Sequence, residues 1–346
     1  MAGRLILPPG YTRILPPRET ETAIRLIKEF FQVNLAFELN LIRATAPLFV
    51  ESGTGINDDL NGVERPVSFT VRDIGGVRAE IVHSLAKWKR MTLADLGFKP
   101  GEGLYTDMNA IRPDEDLDNT HSLYVDQWDW ERVMAAGERN LDFLKAVVRR
   151  IYDVIRRTEL RVAYEYPAIT PCLPETITFV HSEDLCAEFP GRTPREREAA
   201  ACRRHGAVFV IGIGGPLQDG RAHDGRAPDY DDWTTPADAT HRGLNGDILV
   251  HNPILDTVFE LSSMGIRVDS AALDRQLELS GQTARRQLYW HRRLLGGELP
   301  QTIGGGIGQS RLCMLYLRKA HIGEIQASLW PPAMVSECRR HGIELL

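Results

Sequence analysis

The stretch Gly304-Gly305-Gly306-Ile307-Gly308-Gln309-Ser310-Arg311 stands just before a segment that reads as a helix, Leu312 to Lys319. Glycines let a backbone approach a ligand closely, and a helix starting after them offers free N–H groups to an anion. Arg311 adds a planar cation that can fork onto phosphate or stack on an aromatic base. The run is not a dinucleotide fingerprint: counted as G-x-G-x-x-G from Gly304, its last position falls on Gln309. No Gly-Lys-Ser/Thr follows, so it is not a P-loop either. Read alone it is a turn and a helix start. Other stretches of the chain give it a second meaning.

A chain of 346 residues can bury a large core without staples. Its formal charge of -6 leaves no global footprint for nucleic acid, although a few local cations suffice for a nucleotide. No apolar run reaches membrane-spanning length. The five cysteines, Cys172, Cys186, Cys202, Cys313 and Cys338, contain no C-x-x-C pair. An odd count without such a pair argues for reduced thiols in a cytoplasmic protein, against a disulfide framework or structural zinc. Residues 1–18 are basic and broken by Pro8, Pro9, Pro16 and Pro17, so they read as an extended arm and a poor transit peptide. Residues 19–346 read as one domain.

Glu19 to Asn40 carries Ile24, Ile27 and Leu35 at helical spacing, and Leu41 to Glu51 reads as a strand ending near Pro47. Glu51 to Gly62 is a loop holding Asp58, a turn former or an ammonium ligand. Val67–Val71 and Glu80–Leu85 alternate as strands around Gly75-Gly76. Lys87, Lys89 and Arg90 around Trp88 are either a solvated face or the lining of an anionic pocket. Strands over Gly103–Ile111 and Ser122–Trp130 flank the loop Arg112-Pro113-Asp114-Glu115-Asp116. Gln127 and Asp129, at i and i+2, share one sheet face and Asp126 the other. Inward polar groups of that kind are costly unless they bind something. Glu138–Tyr164 is a long helix, Ser182–His205 a charged helical surface insertion, and Ala207–Ile211 a buried strand ending in a glycine turn. Strands around Asp247 and Val258–Arg267 can set Asp247 beside Glu260, a seat for magnesium next to arginines. Two helices, Ala271–Gly281 and Arg285–Leu295, precede the opening motif, and a last strand is expected near Ile325–Leu329. Many hairpins without βαβ alternation give an α+β fold, an antiparallel sheet flanked by helices.

Taken together these motifs resemble the ammonia-dependent asparagine synthetases of the A type, the aspartate–ammonia ligases. The residues that carry the likeness are HSLAKWKR (His83–Arg90), GEGLYT (Gly101–Thr106), RPDED (Arg112–Asp116) and VDQWDWERV (Val125–Val133). RAPDYDDW (Arg226–Trp233), GLNGDILV (Gly243–Val250), FELSSMGIRVD (Phe259–Asp269) and PQTIGGGIGQSRL (Pro300–Leu312) complete the set. The likeness spans about Glu19 to Trp330, with a longer arm than the family leads one to expect. It implies a class II aminoacyl-tRNA synthetase-like catalytic core in a homodimer. Glu19–Pro47 looks like that class's dimer element, Arg112 like its motif 2 arginine, and Gly304–Arg311 like its motif 3. It further implies that L-aspartate, ATP and ammonia become asparagine, AMP and pyrophosphate through a β-aspartyl-adenylate. Arg112 would hold the α-phosphate, and Arg311, with Gly304, Gly306 and Gly308, the rest of ATP. Asp247 and Glu260 would hold Mg2+. Ser84, Lys89, Gln127, Asp129, Ser262, Ser263 and Arg267 would line the aspartate site. Asp58 and Asp231 would take the substrate amine or the ammonium, in an undivided role.

Three rivals have distinct expectations. A tRNA ligase of this fold would carry an anticodon-binding barrel, for which the residues before the first long helix are too few. A non-catalytic paralogue would lack Arg112, Arg311, Asp247 or Glu260. A glutamine-dependent enzyme of the usual kind would open on a catalytic cysteine, whereas this sequence opens Met1-Ala2.

Overall fold

A computed structural model describes residues 5–58 and 64–346 of the chain. Helix α1 (Pro17–Leu39) starts with proline in its first turn, where a missing N–H costs nothing. It buries Ala23, Ile27, Phe31, Leu35 and Leu39 along one stripe and ends at Asn40 in the left-handed region, φ 56°. The strand expected over 41–51 is two strands in two sheets, β1 (Leu41–Arg43) and β2 (Phe49–Glu51). Pro47 lies between them, without an N–H to carry a ladder onward. Strands β3 (Ser68–Val71) and β4 (Val77–Ile81) join β2 in a small antiparallel sheet, order β2-β4-β3. The end of the expected 51–62 loop, from Asp59 on, lies outside the described residues.

Next come α2 (Ala86–Asp95), β5 (Gly103–Ile111), β6 (Tyr124–Val133) and α3 (Leu141–Glu165), the last capped by the Asn140 side chain. A strand not foreseen, β7 (Thr178–His181), follows. The charged insertion over 182–205 is two helices, α4 (Ser182–Glu188) and α5 (Pro194–His205). A capping box between Thr193 and Glu196 starts the second. Its Ala201 and Cys202 pack on Val208, Val210 and Leu249, so it roofs the sheet. Then follow β8 (Ala207–Ile211), β9 (Asn245–Asn252), β10 (Thr257–Ile266), α6 (Ser270–Leu279) and α7 (Tyr289–Leu295). Helix α7 starts four residues later than expected, after a 3-10 segment over Thr283–Gln287.

The glycine motif is neither a turn nor a loop. Residues Thr302–Gly308 form β11, and α8 (Gln309–Tyr316) begins immediately after it. Strand β11 pairs antiparallel with β6 on one side and β10 on the other. The main sheet has the order β1-β5-β6-β11-β10-β9-β8-β7, antiparallel within and parallel only at its two edge pairs. No strand forms at 325–329: a 3-10 turn at Ile322–Glu324 leads to α9 (Pro332–Arg340), which the paired prolines Pro331 and Pro332 start rather than break.

One face of the sheet carries the main core. Trp128 and Trp130 of β6 point at α1 and α3, with Phe31 stacked on Trp128 at 4.5 Å between ring centroids. Burial of each such ring contributes about 1.5–3 kcal/mol. By the strand's period of two, Gln127, Asp129 and Glu131 point the other way. The N-terminal arm is fastened down. Ile6 exchanges hydrogen bonds with the Asn119 side chain (2.7 and 2.8 Å), and the Tyr11 hydroxyl donates to Glu324 (3.0 Å). All five cysteines are free thiols, Cys172 exposed and the others buried.

Candidate active site

Because β11 is made of glycines at its centre, its outward face is bare, and its neighbours lean over it. A Cβ on Gly304 would collide with the Glu131 carboxylate, and one on Gly306 would come within 2.9 Å of Gln127 Cδ. Above this floor lies a cavity of about 420 Å³, within the range of small-molecule sites. From Gly304 to Gly308 the floor runs about 13 Å, at the usual rise of an extended chain. Its two ends differ in chemistry.

At the Gly304 end the groups are buried and tightly paired. Arg267 donates to Glu131 through Nε and Nη2 (3.1 and 2.8 Å) and to Asp231 through Nη1. Glu131 also accepts from Thr302 Oγ1 at 2.6 Å. Burial would raise the Glu131 carboxyl, but Arg267 and Lys89 hold it below its ordinary range. Asp231 goes the other way: burial raises it, and Arg267 and Arg226 do not fully compensate. Tyr230 lies under the Arg267 guanidinium, 5.8 Å from ring centroid to Cζ. Asp58, also buried, is near enough to Tyr230 to oppose its ionisation. Asp229 accepts from Lys87, Arg285 and His291 at 2.8–2.9 Å and so ties the 226–233 loop to α2 and α7.

The three cations of α2 are therefore neither a solvated face nor a pocket lining. Lys87 is paired with Asp229 and Arg90 donates to the carbonyls of Val268 and Pro300. Lys89, with 0% of its side chain exposed, is bonded to Asp129 and to the Trp130 carbonyl. It stands behind the cavity wall, where Asp129 intervenes.

The Gly308 end is more open. Arg112 is 3.6 Å from Glu115, and Arg311 donates to the Glu260 carbonyl (3.1 Å) while resting over Phe259. The Glu260 carboxylate is pushed up by desolvation and pulled below its ordinary range by Arg311, Arg226, His121 and Arg112. Asp247 does not sit directly across from Glu260. It faces Ser263, and Glu260 faces Leu249, with a bulge between Glu260 and Ser262. Arg226 bonds the Asp247 carboxylate and donates to Ser263 Oγ at 3.0 Å. Burial together with Glu260 still carries the Asp247 carboxyl up to about 7. No group of three or more metal-ligating side chains gathers among the described residues. Were these two carboxylates to hold a magnesium ion, its other ligands would have to come from phosphates and water.

A family model described as aspartate–ammonia ligase matches residues 18–342. The aspartate–ammonia ligases of Parabacteroides distasonis and Clostridium perfringens are 60% and 55% identical to the chain, over 99% of each sequence. The chain belongs to the aspartate–ammonia ligase family. As such it is a ligase, and the arm expected to be unusually long falls within the length these relatives share. Solved structures similar to it include the asparaginyl-tRNA synthetase of Pyrococcus horikoshii complexed with asparaginyl-adenylate. That structure has a TM-score of 0.67 at 16% identity, covering 90% of this chain and 70% of that one. The Entamoeba histolytica asparaginyl-tRNA synthetase in complex with asparaginyl-adenylate gives 0.63 at 14%, covering 90% and 66%. This ligase therefore has the class II synthetase fold.

Most residues singled out in the ligase's sequence meet at the cavity: Ser84, Arg112, Gln127, Asp129, Asp231, Glu260, Ser262, Ser263, Arg267, Gly306, Gly308 and Arg311 line it. Asp58, Lys89, Asp247 and Gly304 lie just behind its wall. Sequence reasoning missed Glu131, Arg226 and Asp229. Glu131 continues the alternation of Gln127 and Asp129 by one more step, a signal that was present.

The floor makes a prediction about the ligase. A Cβ at Gly305 would meet the Ser263 carbonyl at 2.6 Å and Met264 Cα at 2.9 Å, backbone that cannot turn away. Gly305→Ala is expected to destabilise by about 1–3 kcal/mol, as overpacking does. A Cβ at Gly306 meets only the mobile end of Gln127. Gly306→Ala is expected to keep its melting temperature and lose activity. Thermal unfolding and turnover of the two variants, side by side, test this; equal destabilisation would contradict it.

Proposed function

We propose that this cavity is where the ligase activates the side-chain carboxylate of L-aspartate with ATP and passes it to ammonia, giving L-asparagine, AMP and pyrophosphate. The observation that carries the reading is the polarity of the glycine floor. A buried Arg267–Asp231–Glu131 cluster at one end suits a small zwitterion, and Arg112 and Arg311 at the other suit phosphates and a base. No nucleophilic side chain is needed, because the substrate carboxylate itself attacks.

A carboxylate resists ammonia because its leaving group would be oxide. In the first step a β-carboxylate oxygen of aspartate bonds to the α-phosphorus, the α–β phosphoanhydride breaks, and pyrophosphate leaves with the electron pair. In the second step ammonia attacks the acyl carbon of the adenylate, the carbon–oxygen bond to AMP breaks, AMP departs with the electron pair, and the nitrogen gives up a proton to solvent to leave the amide. Arg112 neutralises charge on the α-phosphate as it reorganises. Arg267 and Gln127 hold aspartate, assisted by Ser84, Asp129, Ser262 and Ser263, and Lys89 acts through Asp129. Asp231 and Asp58 receive the substrate amine or the ammonium. The raised Asp231 carboxyl suits a group that takes a proton from ammonium, freeing ammonia to attack. Asp247 and Glu260 would hold magnesium, which would offset phosphate charge. Catalysis by such a site is positioning and electrostatics. Incubation with aspartate, ATP, magnesium and ammonium tests the reading: asparagine should form only when all four are present, and asparagine formed without ATP would contradict it.

The homodimer expected of this fold is supported by one apolar edge. On α1, Val33 and Phe37 are 64% and 85% exposed, and Ile42, Leu48 and Phe49, which follow α1 in the chain, are exposed as well. Such a patch is unusual for a monomer's surface. Phe37→Glu is expected to convert a dimer to monomers in sedimentation equilibrium; a wild type that already sediments as a monomer would contradict the assignment. Free thiols are in keeping with a cytoplasmic setting, and no helix among the described residues is long and apolar enough to cross a membrane.

A further inference from the structure

The wall near the Gly308 end includes Gln326, a residue no motif singled out. It follows the 3-10 turn after α8, and its backbone N–H donates to the Ile322 carbonyl at 3.0 Å. The residue is 6% exposed, and its amide oxygen, shut off from solvent, meets no donor among the described residues. A buried amide left unmatched is costly, and a ligand that supplies the missing partner recovers that cost. Gln326 and Ile322 line the cavity together, next to Ser122, whose hydroxyl donates to Ser328 Oγ at 3.0 Å. The Ile322 N–H also donates to the Asn119 carbonyl at 2.8 Å, so the turn bearing Gln326 is held against the loop that follows Arg112. This places the Gln326 amide at the end of the floor remote from Arg267.

Resting on the nucleotide reading of that end, we infer that Gln326 selects adenine, its amide taking a hydrogen bond from the 6-amino group and giving one to a neighbouring ring nitrogen. Three features favour the base. A phosphate has no donor to offer an amide oxygen, and the arginines already serve it. The Arg311 guanidinium gives a planar surface on which a ring can lie. A glutamine amide matches the adjacent donor and acceptor of adenine in a single plane. A ribose hydroxyl is the other donor a nucleotide carries, and the test separates the two.

The experiment compares kcat/KM for ATP, purine riboside 5′-triphosphate, which lacks the 6-amino group, and 2′-deoxy-ATP. Wild type and Gln326→Leu are used, with Gln326→Met as a near-isosteric variant should leucine disturb folding. A bidentate amide–base pair gives discrimination of about tenfold or more. Wild type is expected to prefer ATP over the purine riboside triphosphate by that factor. Both variants are expected to lose the preference, mainly through a higher KM for ATP, while the ratio of ATP to 2′-deoxy-ATP stays as in wild type. Undiminished preference for the 6-amino group in the variants would overturn the assignment, as would a change confined to the 2′-deoxy comparison. Equilibrium dialysis with ATP separates the levels. Binding by wild type with unaltered base preference in the variants refutes Gln326 alone; no ATP binding by wild type refutes the nucleotide reading and the inference with it.

Discussion

Replacing Arg112 by lysine is expected to lower kcat by about 10²-fold or more, the usual cost of removing one well-placed donor from a transition state. Arg112 follows β5 directly, lines the cavity, and among the described residues pairs ionically with Glu115, at 3.6 Å. Its Nε is buried with no hydrogen-bond partner among the described residues, so the guanidinium is not committed to the fold. Lysine keeps the charge and loses the planar fork. An interaction made mainly in the transition state shows in kcat, and one made equally in the ground state shows in KM. On the proposed reading Arg311 would bind parts of ATP that change less during aspartate attack. Arg311→Lys is therefore expected to raise the KM for ATP more than it lowers kcat. Steady-state kinetics with circular dichroism as a folding control separate the two. Near-wild-type kcat in Arg112→Lys would remove that residue from the α-phosphate.

The second large effect concerns the carboxylate pair. Asp247→Asn and Glu260→Gln each replace a charged oxygen donor by a neutral amide, a poorer ligand for magnesium. Changing an outer partner of a metal ligand already costs about 10–100-fold, and a direct ligand is expected to cost at least that in turnover. The magnesium concentration for half-maximal rate should rise in parallel. Asp247 carries a complication, since its carboxylate is the partner of buried Arg226. Glu260→Gln leaves that pair intact and is the cleaner test. Manganese binding in the presence of ATP, followed by paramagnetic resonance, reads the site without turnover. Wild-type turnover and cation affinity in both variants would show that the pair is not a metal seat.

Much of this was legible because local patterns carried it. The period of two put Gln127 and Asp129 on one face, and helical spacing placed α1 within two residues at its start. The glycine run misled because its reading rested on intrinsic preference. Glycine disfavours strands, yet β6 and β10 supply the ladder, and only glycine leaves room for the Glu131 and Gln127 side chains. The likeness put Lys89 at the aspartate site, and no local spacing announces that Asp129, forty residues on, takes its ammonium. Asp229 and Arg226 were hidden for the same reason: their partners come from α2, α7 and β9, and no local spacing announces them. At 325–329 the alternation Ile325-Gln326-Ala327-Ser328-Leu329 resembled a strand, but no neighbouring strand pairs with it.

The central claim is that an oxygen of the aspartate side chain bonds to the α-phosphorus of ATP within this cavity. Aspartate labelled with ¹⁸O in its side-chain carboxylate traces that bond. When the adenylate is broken by ammonia at the acyl carbon, the bridging oxygen stays with phosphorus. Mass spectrometry of the nucleotide product should therefore find one ¹⁸O in AMP, with unlabelled pyrophosphate. Label in inorganic phosphate, accompanied by ADP, would contradict the account.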